Sequence, residues 1–164
     1  MMVRVLDKLW QGDKDAVISL AGEKALVEKG ITHVLNMATE VDYRYPIPQH
    51  IDVLKIPTID GVVMADEDIE KAIEYITKAI TRENGKVLVH CAGGQSRSAG
   101  AVIAYLISVG FDYADAESLV KTSNPSANPA SQIRDSILSY FDIDTKPMDP
   151  NLFRKTFKRK GTWE

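Results

Sequence analysis

The sequence of 164 residues contains one cysteine and only three histidines, and both small numbers limit its chemistry. A single cysteine cannot form an internal disulfide, which agrees with a reducing compartment, so we expect a cytoplasmic protein. One cysteine and three scattered histidines form no ligand cluster, so we expect no metal, and nothing in the sequence indicates a cofactor. The single thiol, Cys91, is therefore the residue whose purpose needs an explanation.

Long apolar runs and an excess of positive charge are also missing. No stretch approaches the roughly 20 apolar residues that a membrane-spanning helix needs, and residues 1–10 lack the apolar centre of a signal peptide. With a net charge of −3, the sequence lacks the overall basic character of nucleic-acid-binding proteins. We expect no membrane span and no nucleic-acid partner, whereas the oligomeric state is not indicated.

The hydrophobic pattern predicts strands that alternate with helices. Strands are predicted in residues 3–10 (one or two, at the sheet edge), 33–37, 51–56 and 86–90. Helices are predicted in residues 15–30, from 66 to about 84, and in 99–109, 113–121 and 129–141. The run 87–89 is apolar throughout, as in a central strand buried on both faces. The pattern indicates one α/β domain over residues 1–141 and a loosely docked basic tail over residues 142–164.

The residues between the predicted central strand and the next helix carry the chemistry. They are His90, Cys91, Ala92, Gly93, Gly94, Gln95, Ser96, Arg97 and Ser98. A loop that opens a helix presents several backbone N–H groups toward one point, and the helix N-terminus adds partial positive charge. Gly93 and Gly94 allow a tight curl, since neither has a Cβ that forbids positive φ. We predict that Ala92 to Arg97 bind a phosphate-sized anion.

Cys91 begins this anion-binding loop, where the amides, the helix dipole and Arg97 all favour a thiolate over a thiol. Arg97 can donate two parallel hydrogen bonds to the oxygens of a phosphoryl group, which lysine cannot. Ser98 can bond to the sulfur and ease its departure when a phosphocysteine is hydrolysed. We interpret His90 as a residue that orders the loop. A cysteine without these neighbours would be an inert core residue.

The string His90-Cys91-x-x-Gly94-x-x-Arg97-Ser98 resembles the signature of the cysteine-based protein tyrosine phosphatase superfamily. Residues 9–13, 30–36, 86–89 and 104–106 are similar to its dual-specificity branch, and the resemblance spans about residues 9–141. It implies a central mixed sheet of about five strands flanked by helices. It also implies hydrolysis of phosphotyrosine, and of phosphoserine or phosphothreonine, in a phosphorylated protein or peptide through a phosphocysteine intermediate.

The resemblance further implies a general acid, an aspartate upstream of the cysteine that protonates the leaving oxygen. Asp60 is the candidate, because it follows a predicted strand and Gly61 beside it lets the loop move. The nearby alternatives are Asp66, Glu67 and Asp68. We expect Asp66 to cap the next helix and the other two to favour the helix dipole, so Asp60 is preferred over these alternatives, which stay open.

Other functions on the same loop stay open. A phosphoinositide, nucleotide or RNA 5′-phosphate phosphatase ranks lower, because residues 92–95 include no basic side chain that would favour a highly charged headgroup. A rhodanese-type sulfurtransferase needs no upstream acid, and the pair Arg97-Ser98 fits it less well. A catalytically silent phosphate-binding module could dispense with Cys91 or Asp60, and both are present. The substrate itself cannot be chosen from the sequence.

Overall fold

A computed structural model describes residues 1–43 and 47–143 of the chain. The predicted tail of residues 142–164 therefore lies outside the described residues, apart from its first two positions. The strands are β1 (Met2–Leu6), β2 (Leu9–Gly12), β3 (His33–Ala38), β4 (Asp52–Thr58) and β5 (Val87–His90). The helices are α1 (Asp15–Ile18), α2 (Leu20–Glu28), α3 (Asp66–Thr81), α4 (Arg97–Ser108), α5 (Tyr113–Ser123) and α6 (Ser131–Tyr140). None of the helices in this described part has the length and apolar character needed to cross a membrane.

The five strands form one mixed sheet in the order β1-β2-β5-β3-β4. β1 is antiparallel to β2, and the other neighbouring strands are parallel. β5 is the middle strand and all four of its residues are buried, which confirms the predicted central strand. The prediction that both N-terminal strands lie at the edge is wrong for β2, because its residues pair with β5 as well as with β1.

Helix α4 is enclosed by the rest of the fold. All its residues from Arg97 to Ile107 are buried, and it packs on β2, β3 and β5 and against α3, α5 and α6. A helix that is covered on every side exposes no polar stripe, which explains its apolar sequence. Residues 91–96 thus connect the carboxyl end of the central strand to the start of a core helix, as predicted for the anion-binding loop.

The single helix predicted for residues 15–30 is in fact two helices, α1 and α2. Ser19 separates them with an extended backbone (φ −123°, ψ 155°), and its hydroxyl oxygen accepts a hydrogen bond from the Gly22 N–H at 3.0 Å. Ser19 therefore caps α2, because a side-chain oxygen can satisfy an N–H that the helix leaves without a partner. Gly22 also lies so close to the backbone of α1 that a Cβ would collide with it.

The prediction that Asp66 caps the second long helix is wrong. The Ala65 carbonyl accepts the first hydrogen bonds of α3, from the N–H groups of Asp68 at 3.0 Å and Ile69 at 3.1 Å. Ala65 is therefore the N-cap residue and Asp66 is already inside the first turn, beside Glu67 and Asp68. All three carboxylates still lie near the positive end of the helix dipole.

Candidate active site

In the loop of residues 91–96, called the Cys91 loop below, four carbonyl groups accept hydrogen bonds from residues outside the loop. The pairs are Cys91 O with His90 Nδ1 (3.1 Å), Ala92 O with Lys14 N (3.0 Å), Gly94 O with Gln11 Nε2 (2.8 Å) and Asn124 Nδ2 (3.0 Å), and Gln95 O with Asn128 N (2.7 Å). The C=O and N–H of a trans peptide point in opposite directions. In each of these peptides the N–H of the following residue therefore points away from the group that donates to the carbonyl.

The N–H groups of residues 92–96 find no acceptor, carbonyl or side chain, in the part of the chain that the structure describes. They precede α4, so the positive end of that helix dipole lies beside them. Successive amides of this kind form a site for an anion. The Gln95 side chain is exposed, and Ser96 is buried with its hydroxyl oxygen accepting the Ala130 N–H at 2.8 Å.

Gly94, and not Gly93, supplies the unusual backbone conformation of this loop. Gly94 has φ +72°, and a Cβ there would come within 2.7 Å of Met1 Cε and 3.2 Å of the Gly12 carbonyl oxygen. Gly93 does not have positive φ, and a Cβ there would meet nothing within 4 Å. The prediction that both glycines supply the curl through positive φ is therefore wrong for Gly93.

The Cys91 sulfur lies inside the protein against the Ser98 hydroxyl. Cys91 is 2% exposed, and its Sγ is 3.2 Å from Ser98 Oγ. Ser98 is fully buried in the first turn of α4, and its oxygen also accepts a hydrogen bond from Gln11 Nε2 at 2.7 Å. The predicted neighbours are thus in contact, and Gln11 on β2 joins them.

Arg97 is 2% exposed and binds the Glu40 carboxylate through two parallel hydrogen bonds, Nη1 to Oε1 at 2.7 Å and Nη2 to Oε2 at 2.6 Å. Nη1 also donates to the Thr58 carbonyl at 2.9 Å, so both of its hydrogens are used. Within the described residues no acceptor lies in hydrogen-bonding distance of the buried Nε. The Nε–H and the second Nη2–H form the remaining edge of the guanidinium, a fork that fits two oxygens of a phosphate.

The Glu40–Arg97 pair also fixes the charge of both groups. The hydrogen bonds from Arg97 lower the pKa of the Glu40 carboxyl to about 2, although the Glu40 side chain is half exposed. In return, the bond to Glu40 raises the pKa of Arg97 above its ordinary value. The guanidinium is therefore held in one orientation by a partner that stays ionised at neutral pH.

His90 is fully buried and bridges the Cys91 loop to Tyr43. Since the Cys91 carbonyl can only accept, His90 Nδ1 carries the proton, and the Tyr43 hydroxyl then donates to Nε2 across 2.9 Å. Burial lowers the pKa of His90 to about 4, so the ring is neutral at physiological pH. These contacts agree with the interpretation of His90 as a residue that orders the loop.

Asp60 lies in the loop between β4 and α3, near Arg97. Its Oδ1 is 3.7 Å from Arg97 Nε, and its side chain is 68% exposed. Gly61 beside it has φ +73°, and a Cβ there would meet nothing within 4 Å. The alternatives Asp66, Glu67 and Asp68 belong to the first turn of α3. Asp60 is thus the predicted acid that the structure brings next to the arginine.

Comparison with known proteins decides the family. A family model described as the dual specificity phosphatase catalytic domain matches residues 13–143, which is most of the chain. The chain belongs to the dual specificity phosphatase family. This confirms the resemblance recognised in the sequence around Cys91 and Arg97.

Relatives with solved structures and curated names agree with this family. The chain is 32% identical over 137 residues to dual specificity protein phosphatase MPK-4 of Drosophila melanogaster, covering 79% of this chain and 34% of the relative. It is 31% identical over 119 residues to dual specificity protein phosphatase 1 of Arabidopsis thaliana, covering 70% and 57%. The crystal structure of human DUSP28 matches with a TM-score of 0.72 and 28% identity, covering 85% of this chain and 91% of that one.

Three residues of this dual specificity phosphatase site were missed by sequence reasoning: Gln11, Glu40 and Asn124. They come from β2, the segment after β3 and the end of α5, far apart in the chain. Gln11 did carry a signal, since a polar residue in a short apolar strand next to a reactive loop needs buried partners. Glu40 carried none, because charged residues in polar segments are ordinarily solvated.

Proposed function

We propose that this protein is a cysteine-dependent phosphatase that hydrolyses phosphotyrosine, and phosphoserine or phosphothreonine, in proteins. One observation carries the proposal. The buried Cys91 stands at the start of a loop whose backbone N–H groups at residues 92–96 have no acceptor in the described part of the chain. The Nε–H of Arg97, at the end of that loop, also has no acceptor there. A dianionic phosphate is the ligand that these donors suit.

The reaction follows from these positions. The Cys91 thiolate attacks phosphorus, the phosphorus–oxygen bond to the leaving group breaks, and Asp60 gives its proton to the departing oxygen. The loop amides and the fork of Arg97 stabilise the charge on the phosphoryl oxygens during transfer. Water then attacks the phosphocysteine, Asp60 takes its proton, and Ser98 stabilises the sulfur as it leaves as a thiolate.

The setting of the reaction is part of the proposal. A nucleophilic thiol needs a reducing compartment, and we infer the cytoplasm. We place catalysis in a domain of residues 1–141 and treat residues 142–164 as a separate basic tail. The chain covers less than two thirds of the length of the curated relatives it matches, so its substrates are inferred from the site alone.

The test measures phosphate release without added metal. The substrates are phosphotyrosine, phosphoserine and phosphothreonine peptides and inositol phosphates, so that the alternative lipid-headgroup chemistry is included. The variants are Cys91→Ser and Asp60→Asn, with Asp7→Asn as the matched control, since Asp7 is almost fully exposed and lies in the turn between β1 and β2.

We expect Cys91→Ser to abolish turnover and Asp60→Asn to slow it ~100-fold on substrates with poor leaving groups, while Asp7→Asn matches the wild type. A preference for inositol phosphates would replace the protein substrate with a lipid headgroup. Absence of phosphate release by the wild type would reject the proposal, and persulfide formation from thiosulfate would then be tested.

A further inference from the structure

A buried chain of hydrogen bonds runs from the end of α5 to the Cys91 sulfur. Asn124 Nδ2 donates to Gln11 Oε1 at 2.8 Å, Gln11 Nε2 donates to Ser98 Oγ at 2.7 Å, and Ser98 Oγ lies 3.2 Å from Cys91 Sγ. Gln11 and Ser98 are fully buried, and Asn124 is 4% exposed. Water therefore does not compete for these bonds, and each partner matters.

The orientation of both amide side chains in this chain of hydrogen bonds is fixed by the Gly94 carbonyl. That oxygen can only accept, so the two side-chain atoms that contact it, from Gln11 and from Asn124, must be their NH₂ groups. The Asn124 oxygen accordingly accepts from the Ser126 N–H at 3.1 Å. The Gln11 amide is therefore a donor toward Ser98 and cannot turn over without losing its bonds to both Gly94 and Asn124.

This fixed direction determines what the Ser98 hydroxyl can do. Its oxygen already accepts the Gln11 N–H, so its own hydrogen has two acceptors nearby, the Cys91 sulfur at 3.2 Å and the Gly12 carbonyl at 3.4 Å. A thiolate attracts the hydrogen more strongly than a neutral carbonyl does. Ser98 therefore donates to the sulfur, as nucleophile and again as leaving group.

The same glutamine acts on the anion-binding amides. Gln11 and Asn124 both hold the Gly94 carbonyl on the inner side of the loop, and the Gln95 N–H of that peptide consequently points to the other side. Without these two donors the peptide could rotate and present a carbonyl to a bound anion.

We propose that Gln11 is a positioning residue that keeps the Ser98 hydroxyl donating to the Cys91 sulfur and keeps the Gly94 carbonyl turned away from the anion. The proposal rests on the phosphatase function proposed above, because it assigns Gln11 to that same site. Its consequence is a hydrogen bond that stabilises negative charge on the Cys91 sulfur, and tighter binding of phosphate.

The first test is a pH titration of the thiolate by its ultraviolet absorbance, with Cys91→Ser as the blank, since Cys91 is the only cysteine. Gln11→Met keeps the side-chain length but cannot donate. We expect its titration midpoint to rise by about 1 pH unit, and kcat at neutral pH to fall about tenfold. Thr32→Val, which removes a hydroxyl bonded to Lys86 at the opposite end of β3 and β5, should match the wild type.

A double-mutant cycle separates positioning from packing. If Gln11 acts on the sulfur through Ser98, the midpoint shift caused by Gln11→Met should disappear when Ser98→Ala is already present. Affinity for inorganic phosphate, measured by calorimetry in the Cys91→Ser background, should fall ~3- to 10-fold with Gln11→Met through the Gly94 carbonyl. An unchanged midpoint in folded Gln11→Met, or the same shift with and without Ser98, overturns the proposal.

Should Gln11→Met not fold, Gln11→Glu replaces it, because a carboxylate of the same length accepts the Ser98 hydrogen and withdraws it from the sulfur. A larger rise of the midpoint is expected there, and a folded Gln11→Glu protein with the wild-type midpoint would refute the assignment. The titration needs no turnover. A wild type without phosphatase activity whose midpoint still depends on Gln11 would reject the proposed function and leave this role in place.

Discussion

Arg97 and Glu40 are joined edge to edge, with Nη1 and Nη2 of the guanidinium bound to the two carboxylate oxygens at 2.7 and 2.6 Å. The edge formed by Nε and Nη2 stays available, and Asp60 Oδ1 lies 3.7 Å from Nε. Glu40 thus binds the edge of the guanidinium that a phosphate does not need. It orients the fork without occupying it.

Replacing Glu40 with Gln should weaken catalysis through Arg97. The amide can accept only one of the two hydrogen bonds and carries no charge, so the guanidinium loses its fixed orientation. We expect kcat/KM for a phosphotyrosine peptide to fall about tenfold. Glu28→Gln, a change on the exposed surface of α2, is the control. Faster turnover by Glu40→Gln would mean that Glu40 competes with the substrate.

Replacing Arg97 with Lys should be far more damaging, despite the retained charge. A single ammonium cannot bind Glu40 and the Thr58 carbonyl and still offer two donors to a phosphate. We expect kcat/KM to fall at least ~100-fold, measured with the same peptide. Arg134→Lys on the exposed side of α6 should leave it unchanged. Near-normal turnover of the Arg97→Lys protein would contradict the role of the fork.

The two neighbouring glycines should respond differently to alanine. Gly94→Ala forces a Cβ into positive φ and against Met1 and the Gly12 carbonyl, so we expect it to lower the free energy of unfolding by about 2 kcal/mol or more. Gly93→Ala meets open space at an ordinary φ and should change it by less than ~0.5 kcal/mol. Urea denaturation of both proteins gives the comparison. Equal losses would show that the loop backbone differs from the one described.

Stability should fall in mild acid because of His90. Its pKa is about 4 in the folded protein, below the ordinary value of 6.5, so between these pH values the unfolded chain binds a proton that the folded one does not. Stability from this group is complete above about pH 6.5 and decreases until about pH 4. His90→Gln should therefore lose ~2 kcal/mol less than the wild type between pH 7 and pH 5.

The measurement for His90 is urea denaturation at both pH values. His50→Gln, at an exposed position, should behave as the wild type does. If the His90→Gln protein lost as much stability as the wild type on acidification, the folded protein would not disfavour protonation of His90, and the assignment of Nε2 as the acceptor of the Tyr43 hydrogen bond would be wrong.

Local patterns were sufficient for most of the fold. The apolar run at residues 87–89 identified the central strand, and the spacing of apolar residues located α3 to α6. Both succeeded because the faces of an element that are buried determine which of its positions are apolar. The division at Ser19 and the N-cap of α3 at Ala65 were not predicted. Both depend on which oxygen, a side-chain hydroxyl or a backbone carbonyl, accepts the first N–H groups of a helix.

The reactive loop could be predicted from the order of residues, because Cys91, Gly94, Arg97 and Ser98 lie within eight consecutive positions. The surroundings of that loop depend on the tertiary fold. Gln11, Glu40 and Asn124 reach it from distant segments because β2 pairs with β5 and the ends of β3 and α5 lie beside it. Contacts between residues so far apart in the chain follow from how strands and helices pack, which no local pattern records.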